Sequence, residues 1–336
     1  MIPLEQIPAG FHLVFMICAF TFGICLGSFF NVCIYRIPLG QSLSDPKRSY
    51  CFACGSMVEA RDNIPLFSYL MLRGTCRHCG GVYSSRYFWV EALTGALFLY
   101  AYLTFGLTSA LFAYWTFIGL MIIATFTDID NWIIPDRISL GGCAAGIVFS
   151  SFLPFLDSTY VMAVEPWNSF TEALANLFVI IPQVPDSVIE FLSADGAKWR
   201  PLADAIGSAA FGYGMLLFVR VGGQMLFRRE AMGMGDLKLF ACIGAFLGWL
   251  NSLYVLMIAC VLGSIIGGSQ LIFHRLSARK AAQGGLKAKA LHPLPFGPYI
   301  AVAAVITLLF HEQIPVVLNA FTHLFDKFYG ISPEGF

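Results

Sequence analysis

Long apolar runs separated by short polar segments dominate this chain. A helix needs about 20 mostly apolar residues to cross a bilayer, and the pattern predicts eight such spans. They lie near residues 11–34, 89–106, 108–127, 137–155, 203–226, 236–250, 252–273 and 296–315. The sixth is short and follows closely spaced glycines, so we expect it to begin irregularly. The hydrophobic pattern therefore predicts an all-α polytopic membrane protein.

Composition supports this class and limits the kinds of partner that we expect for the protein. The 336 residues are 58% hydrophobic and 12% charged, whereas an average soluble domain has about 25% charged residues. The first apolar run continues through 27–31 without a small-residue cleavage site, which predicts a retained span rather than a removed signal peptide. The formal net charge is zero. The chain is thus expected to partner with a lipid bilayer, and nothing in its composition points to nucleic acid.

Basic residues predict the orientation, because cytoplasmic segments carry an excess of Lys and Arg. They concentrate in segment 36–88, just before Asp236, and in segment 274–290. With eight spans these three regions fall on one side of the membrane. The prediction is a bacterial inner-membrane protein with an outward N-terminus and these three segments in the cytoplasm.

Four cysteines in segment 36–88 form two CxxC pairs, separated by 21 residues. Each pair is followed by glycine, and a tight turn lets both sulfurs reach one metal at ~2.3 Å. The ligands predicted for a structural Zn²⁺ are Cys51, Cys54, Cys76 and Cys79. Two redox dithiols or disulfides are the alternative, which the cytoplasmic side disfavours. The other six cysteines lie in apolar runs, where small packing residues are expected.

Two aspartates lie at the edges of predicted spans. Asp128 ends the third span and Asp236 opens the sixth after Gly233 and Gly235. An acidic side chain in membrane-spanning sequence costs roughly 2.5–3.5 kcal/mol on insertion scales, so such acids are usually functional. Two carboxylates that share a proton can activate water for peptide hydrolysis. Acids of a gate or an ion pathway are the alternative.

Two further acids lie nearby, and one long segment is anomalous. Asp136 follows a proline, which is a helix-start signature, and Asp130 can be an interfacial acid. Residues 156–202 combine prolines, acids and short apolar stretches. We expect an outward insert with amphipathic pieces at the interface. A poor span at 173–193 is the alternative, and it would place the two aspartates on opposite faces.

Several ordered motifs resemble the type 4 prepilin peptidases, membrane aspartic proteases with a GxGD motif. Residues 27–38 read GSFFNVCIYRIP, residues 62–69 read DNIPLFSY, and residues 86–91 read RYFWVE. Residues 233–239 read GMGDLKL and residues 295–298 read PFGP. The resemblance runs almost end to end. It also assigns the first catalytic aspartate by its distance of seven positions from Pro135, which selects Asp128 over Asp130.

The resemblance implies a function and its cofactors. The family cleaves the basic leader of type 4 prepilins or type II secretion pseudopilins at the cytoplasmic membrane face, with Asp128 and Asp236 as the catalytic pair. Many members also methylate the new N-terminal amine with S-adenosylmethionine. No glycine-rich dinucleotide fingerprint is present in the sequence, so the cofactor-binding residues are not assigned. The weak candidates are Gly27, Asn31, Arg36 and Asp62, and packing within the first span is the alternative for Gly27 and Asn31.

The sequence is thus predicted to divide into three parts. Residues 1–35 form the first transmembrane helix, residues 36–88 the cytoplasmic zinc-binding module, and residues 89–336 the membrane peptidase domain with its insert. Two other classes remain open. A transporter or channel would use the intramembrane acids for transport, and a membrane-tethered zinc adaptor would explain the cysteines but not the aspartates.

Overall fold

The computed structural model describes residues 9–46, 48–156, 170–180, 199–228, 232–283 and 295–317. Regular structure in these ranges is helical, and two isolated β-bridges occur in the segment between the first span and the second. The all-α prediction is confirmed.

The helices follow the chain in a simple order. They are α1 (Ala9–Arg36), α2 (Phe67–Met71), α3 (Arg86–Phe105), α4 (Ala110–Asn131), α5 (Asp136–Leu156), α6 (Phe170–Ile180), α7 (Arg200–Phe227), α8 (Met234–Leu247), α9 (Trp249–Gln283) and α10 (Gly297–Leu309). A single-turn 3₁₀ helix at Ala60–Asp62 precedes α2.

Each predicted span overlaps one of these helices. Among the described residues, five helices are long and apolar enough to cross a membrane, namely α1, α3, α4, α7 and α9. The 14 residues of α8 extend about 21 Å, which is shorter than the ~30 Å hydrocarbon core. The polytopic class is confirmed, and the number of eight spans stays a prediction.

Glycines bring α1 and α3 into close antiparallel contact. A Cβ atom added at Gly23 would lie 2.8 Å from Cα of Gly95, and one added at Gly27 would lie 2.8 Å from Cα of Glu91. Small residues permit this approach between membrane helices. Asn31 then donates from Nδ2 to the carbonyl of Tyr87 at 3.1 Å. The end of α1 therefore lies beside the start of α3.

The start of α3 also lies beside the end of α4. Arg86 donates to the carbonyl of Phe126 at 3.2 Å and forms an ion pair with Asp130. Toward their other ends, the rings of Phe98 and Trp115 stack with centroids 5.2 Å apart. The segment 37–85 connects α1 to α3 at this end of the bundle, which we call the module end.

Helix α8 lies in the interior of the bundle. Its side chains are buried almost without interruption from Asp236 to Leu247, and Leu237, Phe240 and Ile243 have no exposed surface. A helix that is apolar on all sides needs neighbours on all sides, and α5 and α7 cover two of them. Burial by protein explains why this short helix is hydrophobic on all sides apart from Asp236 and Lys238.

Helices α5 and α7 run in opposite directions along α8. At the module end Lys238 pairs with Asp136 at 2.6 Å, and further along Ser150 donates to the carbonyl of Ala245 at 2.8 Å, so α5 is parallel to α8. Gly244 faces the backbone of Ser208 near the start of α7. The end of α5 and the start of α7 therefore lie at the same end of the bundle, opposite the module end.

This arrangement bears on the insert predicted at 156–202. The insert begins at the end of α5 and finishes at the start of α7, and both lie at the same end of the bundle. A site shared by Asp128 and Asp236 requires this, because the chain must return to the side from which α7 leads back to Asp236. Within it, the 11 residues of α6 extend about 16 Å, too short to cross a bilayer. Buried Asp204 accepts hydrogen bonds from the amide and hydroxyl of Thr171, which attaches α6 to α7. Residues 157–169 and 181–198 lie outside the described residues, so both interpretations of the insert remain predictions.

Candidate active site and metal centre

The four predicted cysteine ligands form one cluster at the module end. Their sulfur atoms all lie within 4.8 Å of one another, and the Sγ atoms of Cys51 and Cys79 are 3.8 Å apart. Thiolates at the corners of a tetrahedron around Zn²⁺, each at about 2.3 Å from the metal, would be about 3.8 Å apart. All four cysteines are free thiols. The donor set and its spacing fit a closed metal site.

Two similar backbone turns build this cluster. The amide of Gly55 donates to the carbonyl of Cys51 at 2.8 Å, and the amide of Gly80 donates to Cys76 at 2.9 Å. Both glycines have positive φ, 72° and 69°, a conformation that costs glycine little. The glycines after the CxxC pairs therefore supply the turns that the sequence predicted.

The thiols of the cluster cannot all ionise easily without a cation. The backbone amides of Cys79 and His78 lower the pKa of Cys76 to about 6. The amide of Gly81 also favours the Cys79 thiolate, but the neighbouring thiols, Cys54 foremost, raise the pKa of Cys79 to about 11. A bound divalent cation removes this competition, because it stabilises every thiolate that contacts it.

Asp62 is tied to the second cysteine turn. Its carboxylate accepts hydrogen bonds from Nε and the guanidinium amino group of Arg77, the shortest at 2.6 Å. The hydrogen bond and charge of Arg77 lower the pKa of Asp62. This bidentate pair fixes the 3₁₀ turn against the metal cluster.

Local helix geometry positions Asp236. Gly233 is the extended N-cap of α8, with φ −70° and ψ 152°, and Asp236 is the third residue of the helix. The Gly233 amide faces the Asp236 carboxylate, as in one half of a capping box. The helix dipole also favours a negative charge at this position. These contacts orient a carboxylate that is 8% exposed.

Asp128 lies one turn before the end of α4, where it is 5% exposed. Trp132 ends the helix with a left-handed φ of 58°, and its amide donates to the Asp128 carbonyl at 2.9 Å. The amide of Gly297 faces the Asp128 carboxylate from the start of α10. Among the described residues Oδ2 of Asp128 has no partner at hydrogen-bond geometry, so it can accept a bond from water or substrate.

One buried side chain brings the two aspartates together. Ile134, in the α4–α5 turn, is 4% exposed. A Cβ added at Gly235 would lie 3.1 Å from Cβ of Ile134, and one added at Gly297 would lie 3.0 Å from its Cδ1. The starts of α8 and α10 therefore both pack on Ile134, and the carboxylates of Asp128 and Asp236 are close enough to interact electrostatically.

The other two acids in this region already have cationic partners. Asp130 pairs with Arg86, and Asp136 pairs with Lys238. Asp136 also opens α5, as its position after proline predicted. The geometry thus sets Asp128 and Asp236 apart as the buried pair, while Lys238 compensates Asp136 rather than either of them.

Three of the four weak candidates for a methyl-transfer role lie along the end of α1, and the fourth is Asp62 of the 3₁₀ turn. Gly27 provides close packing against α3, and Asn31 bonds to the carbonyl of Tyr87. Arg36 donates to three carbonyls of the loop that follows α1, those of Ser42, Leu43 and Pro46. These contacts give all three residues a structural role.

Sequence reasoning missed the positions that hold the pair in place. Ile134 looked like an ordinary apolar residue, and Gly297 was noted only as part of a motif before the last span. The signal for Gly297 was the motif's position at the same membrane face as both aspartates. Arg86 was noted only as one of the basic residues of segment 36–88 and as the first residue of the motif at 86–91.

Comparison with known proteins gives two consecutive family matches. Residues 21–105 match the sequence profile of the Bacterial Peptidase A24 N-terminal domain, and residues 185–268 match the Type IV leader peptidase family. The first match contains the cysteine cluster and the second contains Asp236, while Asp128 lies between them.

Similar proteins extend this result over most of the chain. A prepilin leader peptidase/N-methyltransferase of Myxococcus xanthus is 33% identical over 78% of this chain, and the chain spans 65% of that protein's length. Proteins of the same description from Aeromonas salmonicida and Legionella pneumophila are 28% and 29% identical, over 93% and 87% of this chain and 96% and 90% of their own. No solved structure matches the chain significantly. The chain therefore belongs to the type IV leader peptidase family.

Proposed function

We propose that this protein is an aspartic endopeptidase that cleaves the leader of type 4 prepilins or type II secretion pseudopilins, with Asp128 and Asp236 as its catalytic pair. The observation that carries the proposal is the meeting of two buried carboxylates from distant motifs at one end of the bundle. The similarity to prepilin leader peptidase/N-methyltransferases supports the substrate class.

The arrangement suits activation of water. One carboxylate takes a proton from a water molecule held between the pair, and the oxygen attacks the scissile carbonyl carbon. The partner carboxyl is protonated and donates a hydrogen bond to the carbonyl oxygen, which stabilises the negative charge that develops there. Oδ2 of Asp128 supplies an acceptor for that water. The two carboxylates act as one unit, because close like charges cannot both ionise easily.

The protein is a multi-pass inner-membrane protein, and we propose that its module end faces the cytoplasm. Arg36, Arg77 and Arg86 all lie at the module end, and basic residues concentrate on the cytoplasmic side of membrane proteins. This orientation places Asp128 and Asp236 where the basic leader of a membrane-inserted prepilin would lie. It also supports the division into a first helix at 1–35, a cytoplasmic module at 36–88 and a peptidase domain at 89–336.

Zn²⁺ is the proposed occupant of the cysteine cluster. A four-thiolate set with near-tetrahedral spacing is typical of structural zinc sites and leaves no open position for catalysis. The metal would hold the two turns of the module together. Asp128 and Asp236 need no metal for the hydrolysis proposed here.

The second proposed activity is methylation of the newly exposed N-terminal amine with S-adenosylmethionine. It rests on the relatives' description as N-methyltransferases and on the presence of the whole N-terminal module. The cofactor supplies an electrophilic methyl group when bound.

The function can be tested with the detergent-solubilised protein and a peptide containing a basic leader, a Gly-Phe junction and an apolar helix. Mass spectrometry should show one cut after the glycine, and addition of S-adenosylmethionine should add one methyl group to the new N-terminus. Recovery of the intact peptide from an active, folded preparation would contradict the proposed peptidase.

We expect Gly297→Ala to slow cleavage by about tenfold or more without unfolding the protein. The added methyl group would overlap the Asp128 carboxylate and press on Ile134, and overpacking of this kind costs roughly 1–3 kcal/mol. The measurement is kcat/KM alongside the melting temperature. Gly267→Ala is the matched control, because a Cβ there meets nothing within 4 Å. Unchanged cleavage by Gly297→Ala would show that this contact does not set the geometry of the pair.

Lys238→Met should have a smaller effect, slowing cleavage by about fivefold at most. Lys238 joins the start of α8 to Asp136 at the start of α5 at 2.6 Å, but partly exposed ion pairs contribute only about 0.2–1 kcal/mol. Lys238→Arg, which keeps the charge, should stay near the wild-type rate. Complete loss of activity in Lys238→Met would instead indicate direct participation in the chemistry.

A further inference from the structure

A cavity at the module end is not used by the aspartate pair. It has a volume of about 160 Å³ and lies between the end of α1, the module and the start of α3. A second cavity of about 490 Å³ continues from it and shares part of its wall. The shared lining residues are Ser28, Val32, Arg36, Ser49, Val58 and Asn63. We call the two cavities together the module cleft. Its size is that of a small-molecule site rather than a packing defect.

The lining of the module cleft is unusually aromatic. Three of the lining rings form a connected group, namely those of Tyr35, Phe52 and Tyr50. The ring centroid of Phe52 lies 5.0 Å from that of Tyr35 and 5.3 Å from that of Tyr50. Phe52, in the module, is 56% exposed, and Tyr35, at the end of α1, is 41% exposed. These ring faces are therefore available to a ligand.

Two carboxylates complete this lining. The Asp62 side chain is only 7% exposed and is held by Arg77. Glu91, on α3, is 8% exposed and accepts a hydrogen bond from the amide of Leu66 at 2.8 Å. Aromatic faces attract an organic cation, and an aromatic face also stacks with a purine ring. Glu91 adds negative charge to the cleft, while the charge of Asp62 is balanced by Arg77, and Arg36 in the shared lining can pair with an anionic group of a ligand.

The position of the module cleft relative to the aspartate pair adds a second argument. Tyr87 lines the cleft, while the preceding residue, Arg86, pairs with Asp130, two residues from Asp128. The two sites therefore lie at the same end of the bundle, with the end of α4 and the first turn of α3 between them. A peptide N-terminus created at Asp128 and Asp236 would pass these two helix ends to reach the cleft.

From these observations we propose that the module cleft binds the sulfonium methyl donor of the N-methyltransferase activity. This inference rests on the proposed function. The Phe52 and Tyr35 rings contact the adenine or the sulfonium centre, and Glu91 provides complementary negative charge, whereas the charge of Asp62 is already balanced by Arg77. During transfer the amine lone pair forms the new N–C bond as the C–S bond breaks, sulfur keeps the bonding electrons as a neutral thioether, and the amine proton passes to water.

Direct binding to the zinc-loaded, detergent-solubilised protein tests the proposal without using activity. Isothermal titration calorimetry would compare S-adenosylhomocysteine, which is neutral at sulfur, with sinefungin, which carries a positive amine at that position. We expect Phe52→Leu and Tyr35→Leu to weaken sinefungin binding by about tenfold, and S-adenosylhomocysteine by less. Zinc content and melting temperature would show that each variant retains its fold.

Phe67→Leu is the matched control. Phe67 is on α2 in the same module, has the same 56% exposure as Phe52 and does not line either cavity. Equal effects of Phe52→Leu and Phe67→Leu, or none from either cleft variant, would overturn the proposal. If the wild type cleaves the peptide but binds neither ligand, the proposed donor site fails while the peptidase stands. Loss of methylation with unchanged ligand affinity would assign the cleft to the peptide and also overturn it.

Discussion

Asp128→Asn and Asp236→Asn should each reduce leader cleavage by about 10³-fold or more. A positioned general acid or base contributes about 10²–10⁴-fold, and each asparagine removes a group that must exchange a proton during the reaction. The amides are nearly the same size as the carboxylates, so burial at 5% and 8% exposure should be preserved. The measurement is single-turnover cleavage with excess enzyme, with melting temperature as the check on folding.

Neighbouring acids provide the controls for this prediction. Asp130→Asn and Asp136→Asn change the same chemical group within the same region but remove ion pairs with Arg86 and Lys238. We expect both to slow cleavage by about fivefold at most, as is typical for partly exposed pairs. Full activity in Asp128→Asn or Asp236→Asn would remove that residue from the catalytic pair.

Removal of the metal should unfold the N-terminal module before it affects the membrane helices. In the described part of segment 37–85, the buried hydrophobic side chains are Cys51 and Cys76, both proposed ligands. The module therefore has almost no apolar core of its own. A structural zinc site contributes apparent binding free energies of about 10–16 kcal/mol. The remaining contacts of the module should therefore not be able to keep it folded once the metal is lost.

Chelation, or Cys76→Ser, should make segment 37–85 sensitive to protease while helical circular dichroism is mostly retained. Cys260→Ser is the control, because Cys260 is exposed on α9 and far from the cluster in sequence. Metal analysis should return one zinc per chain. A metal-free preparation whose module resists protease as well as the zinc-loaded protein would contradict the zinc assignment.

The sequence was sufficient for features that depend on short-range patterns. Apolar runs of about 20 residues predicted the helices, because a membrane-spanning backbone must satisfy its own hydrogen bonds. The CxxC spacing predicted the cysteine cluster, and the glycines that follow supply its turns. The choice of Asp128 over Asp130 came from the family resemblance, and the Arg86–Asp130 pair is consistent with it.

Features that depend on distant contacts could not be predicted in the same way. Ile134 joins the starts of α8 and α10, which are about 100 and 160 residues further along the chain. Nothing about an isoleucine in an apolar segment indicates those partners. The module cleft is also formed by elements that meet only after α1 and α3 pack antiparallel. Such sites are set by tertiary packing rather than by local propensity.

The insert illustrates both cases. Its composition distinguished residues 156–202 from the regular spans, but composition alone left open the side to which the chain returns. The contacts of α5 and α7 with α8 place the beginning and end of the insert at the same end of the bundle. This leaves Asp128 and Asp236 at one face, which the proposed chemistry requires.

The most direct test of the central claim is the single-turnover cleavage rate of the double variant Asp128→Asn/Asp236→Asn, compared with both single variants. Groups that act as one unit give strongly non-additive losses. If the two aspartates share one water and one proton, the double variant should be about as slow as either single variant. Losses that multiply, or a double variant that still cleaves near the wild-type rate, would contradict the proposal that these two carboxylates form the catalytic pair.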